Sequence, residues 1–343
     1  MKAVVLVGGE GTRLRPITET LPKPLVPLVD RPSLDHVLDH LAAHGVHEVV
    51  LSSSYLEETF HAFIQARRGD PSITWITETE PLGTGGAIVN ALEALEALEA
   101  LDAFFALNGD ILTDLDLTEM LARHRDRGAV ATIALTHVED ARPYGLVPMD
   151  ADGRVLEFRE KPSELMQGDI NAGTYILDPA ALEGWTRGEN VSIERQIFPA
   201  LIAAGRPLAG FPSEAYWMDL GTPQAYLQAQ FDLLDGRVDG HRSYPSPFVD
   251  AGGHIDRGAT VNEHVVVGPR ASIETGARVS DTVLHERAVV EPDAIVDRSI
   301  LGPGSRVMRG ASVTDSVLGQ GAVVGAGAPV REGRVQPGER IEA

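Results

Sequence analysis

The chain has 343 residues, with 29 lysines and arginines against 50 aspartates and glutamates and a formal net charge of −21. It contains no cysteine, which excludes disulfides, thiolate nucleophiles and cysteine-held zinc. Its acidity argues against a nucleic-acid partner, which needs a basic face.

In chain order, the opening KAVVLV reads as a buried strand that stops at Gly8-Gly9, not as a leader peptide. No apolar run approaches a membrane span, so no membrane partner is expected and the expected location is cytoplasmic. Residues 2–235 then alternate apolar runs with amphipathic patterns, as in an α/β fold. SLDHVLDHLAAHG predicts a helix with Leu34, Val37, Leu38 and Leu41 on one face, Ser33 as N-cap and Gly45 as stop. On that helix His36, His40 and His44 fall at i, i+4 spacing and read as a solvated face, not a metal site. HEVVLS, ITWIT, AFFAL and VATIALTHV continue the strands, and LEETFHAFIQARRG predicts a helix with Leu56, Phe60, Phe63 and Ile64 inward. Residues 91–103, rich in Ala, Leu and Glu, read as an ordinary surface-packed helix.

The pattern changes near Pro245. Apolar residues fall six apart at Ile255, Val261, Val267, Ile273 and Val279, resume at Val283, Val289, Ile295, Leu301, Val307 and Val313, and finish at Leu318, Val324 and Val330. That period, with small residues between, predicts a parallel β-helix of hexapeptide repeats, left-handed. The expected domains are therefore residues 1–235, a linker at 236–247, and a β-helix at 248–343. The row of edge strands along such a coil predicts a homo-oligomer formed through it.

Two glycine clusters stand out. GGEGTRLRP follows the first strand, where α/β folds bind ligands, and Gly8, Gly9 and Gly11 let backbone approach a phosphate, with Thr12 and Arg13 as donors. It matches neither G-x-G-x-x-G nor a P-loop. ETEPLGTGGA carries Gly83, Gly85 and Gly86 between a strand and a helix. NGD puts Asp110 at a strand end, and WMDLGTP offers Asp219 as a second carboxylate. Against 26 arginines there are three lysines, and two of them, Lys23 and Lys161, precede proline. A compact ammonium in such positions suits a phosphate where the planar guanidinium fork is too large. Together these features point to a phosphate-and-metal site.

GGEGTRLRPITETLPKPLVPL, EPLGTGGA, NGD, YGLV, FREKP, NAGTYIL and WMDLGTP, in that order, resemble the sugar-nucleotidyltransferase family, most of all its mannose-1-phosphate guanylyltransferases. The resemblance spans residues 1–235, and the hexapeptide tail extends it. It implies a Rossmann-like mixed-sheet domain with Gly8, Gly9, Gly11, Thr12, Arg13, Lys23, Gly83 and Thr84 around the nucleoside triphosphate. Arg13 and Lys23 would take the phosphates that leave, and Asp110 and Asp219 would hold Mg2+. Gly109, Asp110, Gly145, Glu160, Asn171 and Gly173 would line the sugar phosphate, and Lys161 would hold its phosphate. The sugar phosphate oxygen is already ionised and attacks without a general base, so in-line positioning and charge neutralisation suffice.

In uridylyl- and thymidylyl-transferring relatives the position of Glu78 is typically glutamine. Here Glu78 and Glu80 flank the glycine loop, and a carboxylate accepts two hydrogen bonds from guanine N1–H and N2–H2. This favours GTP, and the resemblance implies mannose 1-phosphate as the second small-molecule partner. Three alternatives stay open. One is UTP or dTTP with glucose 1-phosphate, or GTP with a heptose phosphate. Another is a silent regulatory subunit, and the last is an acyltransferase activity of the β-helix with His264 or His285 as base.

Overall fold

A computed structural model describes residues 1–53, 56–96 and 102–343. They pack as two compact units: residues 1–9 with 37–217, and residues 10–36 with 218–343.

The first unit is built on a nine-stranded sheet. β1 (Lys2–Leu6) lies parallel to β2 (Glu48–Ser53) on one side and to β4 (Phe104–Asn108) on the other, with β3 (Ser72–Thr77) beyond β2. β8 (Gly168–Leu177) adds antiparallel to β4 and to β5 (Ala131–Val138), and β9 (Leu208–Ser213) pairs parallel with β5. The short strands β6 (Gly145–Leu146) and β7 (Arg159–Glu160) pair antiparallel, and β6 meets β8. Ala3, Val4 and Val5 are all 0% exposed; a strand covered on both faces must be apolar throughout, and that is why it reads as an unbroken run. The core gathers Val4, Val50, Ala106, Tyr175, Ile193 and Phe198.

Among the described residues six α-helices accompany the strands: α1 (Ser33–Ala43), α2 (Glu57–Ala66), α3 (Gly83–Glu96), α4 (Leu117–Asp126), α5 (Phe198–Ala203) and α6 (Pro223–Leu234). α1 buries the expected Leu34, Val37, Leu38 and Leu41. Of the helix expected over 91–103, residues 97–101 lie outside the described residues, and α3 carries the pattern to Glu96. Ser33 opens α1, and its Oγ donates to the Pro24 carbonyl at 2.9 Å. One reading of α1 is corrected. His36 is not solvated: it is 1% exposed, with Nδ1 3.1 Å from Nδ1 of His241 and Nε2 3.0 Å from the Leu28 carbonyl.

The second unit holds the parallel β-helix. Its strands stack into three sheets. The first turn takes 18 residues, with Phe248 opposite Val266 and His254 opposite Ser272; from Val265 opposite Thr282 onward, through Val283 opposite Ile300 and Ile300 opposite Val317, a turn takes 17. Three hexapeptides fill 18 residues, and a turn of 17 leaves one corner a residue short. The inner core runs Val267, Ile273, Val279, then Leu284, Val290, Val296, then Leu301, Val307, Val313, then Leu318 and Val324. The expected register is thus off by one at Val283, Val289 and Ile295, and Ile295 is 36% exposed. Corners are turned by residues at positive φ, among them Arg270, Asp281, Arg287, Asp293, Arg298 and Asp315. Three 3-10 turns, Thr12–Leu14, Ile17–Glu19 and Lys23–Leu25, and α6 complete this unit.

Candidate active site

β1 is the point where strand order reverses, with β2 and β4 on its two sides, and α/β sheets bind ligands outside the carboxyl ends at such a point. Gly8 and Gly9 leave β1 there and are exposed. Gly109 leaves β4 and donates its N–H to the Leu6 carbonyl at 2.9 Å. A Cβ on Gly109 would come within 2.9 Å of Val7, so glycine is what lets Asp110 follow the strand end closely.

At the carboxyl end of β3, Glu78 is 8% exposed. Its Oε1 accepts from Ser52 Oγ at 2.8 Å and its Oε2 from the Leu82 N–H at 3.1 Å. The carboxylate therefore fixes the entry to the glycine loop, and each oxygen keeps a second lone pair. Glu80 is exposed. The glycines of this loop face protein. A Cβ on Gly83 would lie 2.8 Å from the Val191 carbonyl oxygen, and the N–H groups of Gly85 and Gly86 donate to that same carbonyl at 2.8 and 2.9 Å.

The sugar-side residues come from β6, β7 and β8. β8 pairs with β5 in two registers, with the shift between Asn171 and Tyr175, and Gly173 within that bulge has φ +72. The bulge turns Asn171 so that its Oδ1 accepts the Gly173 N–H at 2.9 Å and its Nδ2 donates to Tyr175 Oη at 2.8 Å. A Cβ on Gly145 would lie 2.6 Å from the Phe158 ring and 3.1 Å from Glu160 Oε2, so glycine leaves room for both. Lys161 has φ +51, a conformation costly for a side-chain-bearing residue, and its N–H donates to the Tyr144 carbonyl at 2.9 Å. Its ammonium is 61% exposed and 3.7 Å from Glu160 Oε1.

Glu194 carries no sequence signal, lacking a neighbouring glycine or lysine. It sits in a π turn, Ile193–Ile197, a geometry frequent at functional sites. Its carboxylate accepts from Thr84 Oγ1 and Ser192 Oγ, each at 2.7 Å, and from Tyr175 Oη at 3.4 Å. Burial, helped by the Glu194 charge, pushes the Tyr175 hydroxyl well above its usual range, so it remains a donor. One carboxylate thereby connects Thr84 of the glycine loop to Asn171 of the bulge.

The second unit carries Arg13 and Lys23. Gly11 turns at φ +60, where an added Cβ would crowd Thr18 at 3.0 Å and Lys23 at 3.1 Å. Lys23 Nζ lies 3.1 Å from Asp219 Oδ1, and Arg13 Nη2 lies 3.3 Å from Asp219 Oδ2. Lys23 is 6% exposed and Arg13 61%, while Thr12 is exposed. Gly221 is a further residue the sequence left unmarked: a Cβ there would strike the Arg13 guanidinium.

A small divalent ion takes one or two carboxylates and completes its shell with water and substrate phosphate. Asp110 and Asp219 are donors of that type. Among the described residues no group of three or more His, Cys, Asp or Glu forms a metal cage of its own. Each of the two aspartates, taken by itself, offers the oxygen donors that a hard divalent ion prefers.

A mixed α/β sheet with a glycine-rich loop at its switch point, and a chain that also pairs two cations on one aspartate, are the marks of a phosphate-transferring nucleotide enzyme. The chain belongs to the nucleotidyl transferase family, whose model matches residues 2–236, and a model described as the GMPPB C-terminal domain matches residues 244–343. It is 38% identical over 307 residues to a mannose-1-phosphate guanylyltransferase of Mycobacterium tuberculosis, covering 86% of this chain and 83% of that protein. It is 36% identical over 295 residues to mannose-1-phosphate guanylyltransferase 1 of Arabidopsis thaliana, covering 84% and 81%. The structure of HddC from Yersinia pseudotuberculosis complexed with GMP-PN is 31% identical, with a TM-score of 0.59, covering 67% of this chain and 98% of that one. Nucleotidyltransferases of this family generally use a divalent metal. No helix among the described residues is long and apolar enough to cross a membrane.

Proposed function

We propose that this protein transfers a guanylyl group from GTP to mannose 1-phosphate, giving GDP-mannose and pyrophosphate. The observation that carries the reading is the gathering of Lys23 and Arg13 on Asp219 beside the turn at Gly11. Two cations and a carboxylate in that arrangement suit a triphosphate with its ion. The names of the relatives and the guanine nucleotide in the HddC structure support the choice of substrates.

In this reading Lys23 and Arg13 take the β- and γ-phosphates, and Lys161 takes the phosphate of the sugar. A sugar phosphate oxygen bonds to the α-phosphorus as the bond to the bridging oxygen breaks, and pyrophosphate leaves with that electron pair. No proton has to be removed. Asp110 and Asp219 would hold the ion, read as Mg2+, which when bound neutralises charge on the phosphates. Gly145, Glu160, Asn171 and Gly173 would orient the sugar, and Glu78 would accept from the guanine edge. Residues 1–235 are read as the catalytic domain, with a linker at 236–247 and the coil at 248–343. The protein is read as a cytoplasmic homo-oligomer joined through the coil, supported by the coil's paired-strand faces; a solution mass showing only monomer at micromolar concentration would refute the last point.

The test is pyrophosphate release with four nucleoside triphosphates against mannose and glucose 1-phosphates, with and without Mg2+. Release confined to GTP, mannose 1-phosphate and Mg2+ supports the whole reading. Release with UTP or dTTP keeps the mechanism and removes the assignment of the base. Silence from folded protein removes the enzyme.

A further inference from the structure

The turns that carry Arg13 and Lys23 belong to the same compact unit as the C-terminal coil. Between Gly9 and Ser33 the chain makes only 3-10 turns and two-residue strands. Such pieces are too short to hold their own shape, so their order must come from what they pack on.

Three contacts supply it. Arg334, on the coil, donates from Nη1 to the Arg15 carbonyl at 2.7 Å. Gly302, also on the coil, lies so close to Ile17 that an added Cβ would be 3.1 Å from its Cδ1. His285, 3% exposed, has Nε2 3.1 Å from Tyr226 Oη on α6, and Tyr226 Oη also bonds the Pro27 carbonyl.

The proton directions in this chain are fixed. A carbonyl only accepts, so the single Tyr226 proton goes to Pro27, and His285 must donate Nε2–H to Tyr226. His285 Nδ1 is then the unprotonated nitrogen, and it is buried with no hydrogen-bond partner. Gln230 of α6 reinforces the same segment, donating to the Pro27 carbonyl at 3.0 Å and accepting the Val29 N–H at 2.6 Å. Arg15 and Pro27 lie on either side of Lys23 in the chain. The coil thus grips the segment before and after the lysine.

We propose that the coil is a positioning element of the phosphate-transfer site, in which Arg334 and His285 act through the backbone at Arg15 and Pro27 to hold Arg13 and Lys23 in place for the triphosphate. This rests on the reading of Arg13 and Lys23 as triphosphate ligands. Misplacement by about 1 Å costs such a site on the order of 100-fold in rate, so a contact made only to backbone is felt in the kinetics.

The experiment uses the full chain with Arg334→Ala, Arg334→Lys, His285→Gln, Lys23→Ala and the control Arg309→Ala, whose guanidinium pairs with Asp293 within the coil. Initial rates give kcat and the KM of each substrate, and thermal melts are run alongside. Arg334→Ala is expected to lower kcat/KM for GTP about 10-fold, the size of one lost charged hydrogen bond, with KM for mannose 1-phosphate and Tm at the Arg309→Ala level. Arg334→Lys should recover part of the loss, and His285→Gln should move GTP kinetics in the same direction. If Arg334→Ala matches the control in every kinetic parameter, or only lowers Tm, while Lys23→Ala is inactive, the positioning role is wrong and the site reading stands. Full activity in Lys23→Ala would overturn the site reading itself. Should His285→Gln fail to fold, the Arg334 pair decides alone.

Discussion

Lys23 and Asp219, 196 positions apart in sequence, hold each other at 3.1 Å, with the lysine almost wholly buried. The Asp219 oxygens are shared between this ammonium and the Arg13 guanidinium, and a bound triphosphate with its ion would re-partition all three groups. Removing the ammonium but keeping its stem isolates the charge. Lys23→Met should lower kcat/KM for GTP by roughly 1,000-fold, comparable to loss of an electrostatic stabiliser in other sites. Lys23→Arg should rescue little, because a longer planar fork would have to replace a side chain that is 6% exposed. Asp219→Asn should raise the divalent ion concentration needed for half-maximal rate. Steady-state kinetics across a metal titration checks all three, and wild-type rates in Lys23→Arg would refute the size argument.

Glu78 has two duties to separate. Glu78→Gln keeps an acceptor for Ser52 or Leu82 but cannot accept twice from guanine. The expected loss with GTP is roughly 10–100-fold in kcat/KM, with UTP unchanged or improved, on the strength of hydrogen bonds to a charged group. If both nucleotides lose equally, the carboxylate serves only the loop through Ser52 and Leu82.

Glu194 ties the two substrate loops of the first unit. Glu194→Ala leaves the buried Tyr175 hydroxyl without its acceptor and should cost about 1–3 kcal/mol of stability. Kinetically, Thr84 and Asn171 both lose a restraint, so KM should rise for GTP and for mannose 1-phosphate together. That joint change distinguishes it from Arg334→Ala, which is expected to affect GTP alone. A variant with ordinary KM values for both would show the network to be packing and nothing more.

His285 also predicts an acid limit. Burial pushes its imidazole down to about 4 from the ordinary 6.5. The unfolded chain therefore takes up this proton first as pH falls. Stability is complete above about pH 6.5, declines between there and about 4, and this one group can account for about 3 kcal/mol of the decline. Chemical denaturation at pH 7, 6 and 5 should show a slope that is shallower in His285→Gln. An identical slope would mean that His285 is not the group that titrates.

Much of the fold and the position of several candidate site residues are legible in the amino-acid sequence, and the reasons are local. β1, β2 and β4 announce themselves because doubly covered strands must be apolar, and the candidates Gly8 and Asp110 directly follow two of these runs. What is not legible depends on registry or distance. At Val289-Val290 and Ile295-Val296 two adjacent apolar residues suit either phase, and only pairing with the next turn shows that Val290 and Val296 face inward. His36 reads as polar from its own helix and is buried beside His241, 205 positions away. Glu194 acquires its meaning from Thr84, 110 residues away. Nothing in GEGTRLRP itself says that Arg334 will hold the Arg15 carbonyl.

The division of the chain, with residues 10–36 packed with residues 218–343, also sets a schedule for synthesis. When residue 217 leaves the ribosome every strand of the large sheet has been made, yet the partners of the lysine turn have not. The last 126 residues, from 218 to 343, take about 6–25 s at ~5–20 residues per second. Through that interval the turn that carries Lys23 lacks Asp219, the Tyr226 and Gln230 contacts and the Arg334 contact that hold it in the finished fold.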